Sequence, residues 1–111
     1  MTRTDNRKDA ISEFPQGVLL PPVHPGRTIA AELAARGLSA HRAAIMMRVP
    51  ANRLGFIIAG KRGISADTAL RLARLFGTSG QFWMNMQSQY DLALAAREHG
   101  QRISAEVEAA D

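Results

Sequence analysis

The stretch Leu38–Ile64, LSAHRAAIMMRVPANRLGFIIAGKRGI, decides the fold. Ser39 stands where a helix needs its N-cap, with a hydroxyl that accepts from an orphan backbone N–H. Ala40, Ala43, Ala44 and Met47 recur at i, i+3, i+4 and i+7, the spacing of one buried helix face. Val49-Pro50 ends that helix, because the residue before a proline is pushed out of the α region. Pro50 can also open the next helix, where its missing N–H does no harm. Leu54, Ile57 and Ile58 give this second helix an inner face and leave Asn52, Arg53, Gly55 and Phe56 pointing outward. Gly60-Lys61-Arg62-Gly63 follows at once. Two short helices with small alanines at their crossing and a cationic second member predict a helix-turn-helix over 40–48 and 51–59. In that motif the second helix enters the major groove of DNA.

Upstream, Pro25 and Gly26 open a helix that runs to Arg36, with His24 near its N-cap and Ile29, Ala30, Leu33 and Ala34 as its buried stripe. Gly37 stops it by supplying a left-handed cap. Downstream, Ser65 caps a fourth helix with Asp67 in its first turn, where the helix dipole favours an anion. Ala69, Leu72, Ala73 and Phe76 form its inner face, Asp67, Arg71 and Arg74 its outer one, and Gly77 its end. Thr78 or Ser79 caps a fifth helix reaching about Glu98, with Phe82, Trp83, Met86, Tyr90, Ala93 and Leu94 on one stripe. Met84, Leu92, Ala95 and Ala96 are apolar and fall off that stripe. A small domain cannot bury both sides of a terminal helix, so these four predict a dimer contact. The domain is expected over 23–99. Residues 1–22 lack a period and read as a flexible or strap-like tail, from which Leu19 and Leu20, with the adjoining Val23, could dock on the core. After Gly100, residues 100–111 read as a short, frayed acidic tail.

A chain of 111 residues with 46% hydrophobic residues builds one small domain. No run of apolar residues reaches the length of a membrane span, and the N-terminus has no apolar core of a signal peptide. With no cysteine, disulfides and thiolate metal sites are excluded, and a cytoplasmic location is expected. The net charge of +4 is unevenly placed. Residues 25–64 carry Arg27, Arg36, Arg42, Arg48, Arg53, Lys61 and Arg62 against Glu32 alone, seven minus one or +6. Residues 1–24 cancel at three of each sign, and residues 65–111 hold four basic and six acidic residues, or −2. The excess therefore lies on the segment that reads as a helix-turn-helix. A localised positive surface suits a polyanion; a merely solvated basic face is the weaker reading, since charge and motif coincide.

Five predicted helices with the motif at the second and third make an all-α fold that resembles the lambda-repressor-like, or XRE, family. HPGRTIAAEL in the first helix, VPANRL in the recognition helix, AGKRGISADTALRLARLFGTS and QFWMNMQSQYDLALA together resemble the HigA antitoxin family. That resemblance spans His24 to about Ala95 and rests on all four pieces in order. It implies a dimeric repressor of its own operon and a partner toxin of the HigB type, a small mRNA interferase. Three positions depart from the family's usual pattern. Arg48 stands where the turn often has glycine, Ala40 where a phosphate-binding glutamine is common, and Gly55-Phe56 where a polar residue is common. They bear on the operator sequence and leave the fold untouched. A free-standing XRE repressor without a toxin, and a protein-binding module whose DNA binding has decayed, are the alternatives.

Candidate base readers are Ala51, Asn52, Arg53, Gly55 and Phe56. Asparagine pairs with adenine N6/N7 and arginine with guanine O6/N7, whereas Phe56 could meet a thymine methyl or fold back into the core. Candidate phosphate contacts are Ser39, His41, Arg42, Lys61 and Arg62, which would fix register rather than read sequence. Phe82 and Trp83 are read as core packing, not as a ligand pocket. His24, His41 and His99 have no carboxylate at ligand spacing, so no metal is expected. No catalytic constellation and no cofactor motif is present, and Gly60-Lys61-Arg62-Gly63 is too short for a nucleotide loop.

Overall fold

The computed structural model describes residues 22–110. The readings of a tail over residues 1–21, including docking of Leu19 and Leu20, lie outside them. Five helices follow in order: α1 Pro25–Ala35, α2 Ala40–Met47, α3 Arg53–Ile58, α4 Ala66–Phe76 and α5 Gly80–Glu106. Serine hydroxyls cap three of them: Ser39 accepts from the Arg42 N–H at 3.0 Å, Ser65 from Thr68 at 3.2 Å and Ser79 from Phe82 at 3.1 Å. At α1 the His24 ring does the same, its Nδ1 accepting from the Gly26 N–H at 3.0 Å. Each satisfies one orphan donor of a first turn.

Four helices end alike, with a left-handed residue and a backbone N–H reaching back five residues: Leu38 to Leu33, Val49 to Ala44, Lys61 to Phe56 and Thr78 to Ala73. Gly37, Gly60 and Gly77 supply the left-handed residue in three of these Schellman ends. In the fourth it is Arg48, at φ 59° and ψ 46°. An L-residue with a side chain is disfavoured there by roughly 1–2 kcal/mol. Glycine relieves that strain but is more flexible when unfolded. Arg48→Gly is therefore expected to raise stability by about 0.5–1 kcal/mol, an upward shift of a few degrees in a thermal melt; an unchanged or lowered midpoint would contradict the strain. The same residue ends α2, which closes at Met47 before Val49-Pro50 comes into play. Pro50 lies in the turn ahead of α3 rather than in its first turn, accepting from the Arg53 N–H at 3.0 Å.

The core gathers Ile29 and Leu33 from α1, Ala43 and Met47 from α2, Leu54 and Ile57 from α3, Ile64 from the loop, Ala69, Leu72 and Phe76 from α4, and Trp83 from α5. Ala34 and Val23, expected against it, are exposed. Phe82 is exposed too, packing edge-on against Trp83 with ring centres 5.1 Å apart. The Trp83 indole N–H donates to the Thr78 hydroxyl at 2.7 Å. One crossing is set by backbone alone. A Cβ on Gly26 would collide with the Ile57 carbonyl oxygen and lie 2.9 Å from both the Ile57 carbonyl carbon and the Ile58 Cα. Only a glycine lets α1 approach α3 this closely.

α5 passes Glu98 and Gly100 and ends at Glu106, so the expected frayed tail is helical for most of its length. A single glycine costs a helix about 1 kcal/mol and does not stop it. The surrounding Ala, Arg, Gln and Glu residues favour helix, and Arg102 and Glu106 stand at i,i+4 with 3.9 Å between their charged groups.

Candidate nucleic-acid interface

α2 and α3 present one surface. The buried side of α3 is Leu54 and Ile57, with Ile58 half-buried. Its other side carries the predicted readers. Ala51 and Asn52 are exposed, and Asn52 makes no capping hydrogen bond with its side chain. That amide is thus not spent on its own helix, although asparagine often is. Gly55 opens onto space: beyond its chain neighbours and its own helix backbone, nothing lies within 4 Å of where its Cβ would stand. Phe56 is 43% exposed, which resolves its two readings in favour of the surface.

Arg53 departs from the outward reading. Its side chain is 21% exposed, and its Nε is buried without a hydrogen-bond partner. Nη1 lies 3.9 Å from Oδ2 of Asp67 in the first turn of α4. The same Asp67 oxygen accepts from Arg71 Nε at 2.8 Å, and Arg71 Nη1 donates to the Met47 carbonyl at 2.8 Å. The hydrogen bond from Arg71, aided by the charges of Arg71 and Arg53, holds the Asp67 carboxyl below its usual range against the opposing effect of desolvation. Period alone puts Arg53 outside, yet its side chain is mostly covered and its guanidinium comes within 3.9 Å of Asp67 in α4.

The five predicted phosphate residues are all exposed. His41 and Arg42 are exposed in the first turn of α2. Ser39 uses its oxygen as a cap acceptor and keeps its O–H as a donor. Lys61 and Arg62 are exposed on the loop after α3. That loop is anchored at both ends. Lys61 N–H donates to the Phe56 carbonyl at 2.9 Å, and Ile64 N–H donates to Gln87 Oε1 at 2.7 Å. Gln87 is buried on α5, and its Nε2 donates to Asp91 Oδ1 at 2.9 Å. A Cβ on Gly63 would stand 3.0 Å from Gln87 Nε2, so a side chain there would crowd the amide. The sequence reading passed over Gln87. Its signal was a polar residue between Trp83 and Tyr90 on the apolar stripe of a helix.

Of the four predicted dimer residues, Leu92 is 71% exposed, and Ala95 and Ala96 are exposed beside it. Met84 is instead half-buried against the core. Leu92, Ala96, His99 and Ile103 follow at i, i+4, i+7 and i+11, one face of the extended helix. Among the described residues, no three or more His, Asp or Glu side chains are grouped to hold a metal ion, and no helix is long and apolar enough to cross a membrane.

Residues 29–83 match the family described as Helix-turn-helix, HTH_3. Virulence-associated protein I of Dichelobacter nodosus is 46% identical over 80 residues, 71% of this chain and 74% of that protein. An addiction module antidote protein of the HigA family from Coxiella burnetii has a solved structure that superposes with a TM-score of 0.78 at 42% identity, covering 82% of this chain and all of that one. The Pseudomonas aeruginosa antitoxin HigA, solved with the higBA promoter, gives 0.76 at 44% identity over 78% of this chain and 96% of that one.

Proposed function

Because the chain belongs to the HigA-type antitoxins of the XRE helix-turn-helix family, we propose that it binds its own operator as a two-fold pair and silences a partner toxin. The observation that carries the DNA-binding half is the exposed outer face of α2, α3 and the following loop. It joins an Asn52 amide that does not cap its own helix, the open space at Gly55 and the cations Arg42, Lys61 and Arg62. Asn52, Arg53 and Phe56 read bases in the major groove, with Ala51 and Gly55 allowing close approach. Ser39, His41, Arg42, Lys61 and Arg62 hold phosphates. Leu92, Ala95 and Ala96 on α5 form the two-fold contact that sets two recognition helices about 34–36 Å apart. The toxin is a basic, RNA-cleaving protein of the HigB type. It meets surfaces not used for DNA or pairing: the first 24 residues, α1, or the end that carries Glu98, Glu106, Glu108 and Asp111. Opposite charge there would raise the encounter rate more than the affinity.

Titration of a labelled duplex from its own promoter, at several salt concentrations, tests the reading. Log affinity should fall with log salt by about 0.9 per phosphate contact. Lys61→Ala should weaken all sequences alike and shallow that slope by about one unit per bound chain. Arg53→Ala should cost about 1–3 kcal/mol and relax preference at one base pair. Equal behaviour of the two variants across operator sequences would remove the division into reader and positioner. A neighbouring small protein that is harmless when expressed alone, or that fails to co-purify, would remove the toxin and leave a free-standing repressor.

A further inference from the structure

Asp67 stands between two arginines with different tasks. Arg71 fixes the carboxylate: its Nε donates to Oδ2 at 2.8 Å while its Nη1 holds the Met47 carbonyl at the end of α2. Asp67 is therefore referenced to the last turn of α2 and the first turn of α4, and does not swing freely. Arg53 then rests beside it, Nη1 at 3.9 Å from the same oxygen. We propose that Asp67 is a positioning residue that makes Arg53 choose a base edge over a phosphate. The proposal rests on the base-reading role given to Arg53 above.

Three observations carry it. Arg53 Nη1 is turned toward Asp67, and the Nε–Nη2 edge, which takes no part in that ion pair, carries two parallel donors of the kind that guanine O6 and N7 accept once the side chain swings out. Among the described residues Nε has no acceptor, and it is closed to water. A swing to a base edge would therefore gain a hydrogen bond the free protein lacks. Asp67 is also 62% exposed, and it is an anion. A phosphate that captured Arg53 would face this carboxylate at close range, whereas a neutral base edge would not. An arginine without such a neighbour binds phosphate anywhere along the duplex, which adds affinity but no sequence information.

The test compares operator affinity across single-base variants for the wild type, Arg53→Ala, Asp67→Asn, Asp67→Glu and the double variant, with a melting curve for each. The base pair read by Arg53 is the one where Arg53→Ala loses preference. Asp67→Asn should lower discrimination at that pair by about five- to tenfold, leave the other pairs unchanged and tighten binding to unrelated duplex by a few-fold. Asp67→Glu should restore most of the discrimination. In the Arg53→Ala background Asp67→Asn should do nothing further to it. Asp67→Ser serves as a second neutral variant should the asparagine form melt early. A loss spread evenly over all sequences, or discrimination unmoved by Asp67→Asn in a wild type that is selective, overturns the proposal alone. A wild type that selects no operator overturns the base-reading role and this proposal with it.

Discussion

Gly26→Ala should cost about 3 kcal/mol or more, a large share of the roughly 5–15 kcal/mol that holds a small domain together. The added methyl meets no flexible side chain that could step aside. It meets the carbonyl of Ile57 and the Cα of Ile58, backbone atoms inside the recognition helix and its last turn. Relief requires α1 and α3 to move apart, and Ile29, Leu54 and Ile57, all fully buried, would lose their mutual packing. Denaturant unfolding measures the loss. Gly55→Ala is the control, since its Cβ would enter open space within the same small helix. It should be neutral or gain up to about 1 kcal/mol from helix propensity. A Gly26→Ala midpoint within error of wild type would mean that α1 and α3 can separate at this crossing without cost.

Trp83→Ala should be comparably severe, about 3–5 kcal/mol. Trp83 is fully buried and anchors α5 to α4, its ring centre 5.8 Å from that of Phe76 and its N–H on Thr78. Its removal leaves a cavity that the short α4–α5 connection cannot close. Trp83→Phe keeps much of the packing and loses the hydrogen bond, so it should cost a smaller amount, about 1–2 kcal/mol. The two melts separate cavity from hydrogen bond, and equal losses would place the whole effect in the Thr78 contact.

What the sequence made legible was local. Ser39, Ser65 and Ser79 cap where a hydroxyl before an apolar period says they should, and Gly37 and Gly77 end helices in the left-handed conformation that favours glycine. Arg48 was legible only against the resemblance, as a residue standing where a glycine is usual. What stayed hidden depends on which helices meet. Gly26 looks like any helix-opening glycine until α3 is laid across it. Arg53 sits on the outward side by period, yet Asp67, fourteen positions on by numbering, comes beside it through the fold. The fifth helix was expected to end near Glu98, yet it runs through Gly100, which is not among the described glycines with positive φ, 37, 60 and 77. Met84 was counted as surplus because helical angle gives direction and not what lies in that direction. Within the candidate interface, exposure of Lys61 and Arg62 could be foreseen from their charge. Their anchoring could not, because Gln87 lies on a different helix.

Gln87 has both ends of its amide occupied, one on the Ile64 backbone and one on Asp91. The Lys61–Arg62 loop therefore takes its position from α5. In a pair seated on α5, the distance from the two-fold axis to each loop becomes a fixed length instead of a distribution. One extra base pair between half-sites displaces the second by about 3.4 Å and rotates it by about 35°. A loop held without slack cannot follow that displacement. Such a repressor would gauge the spacing of its site as well as the letters in it.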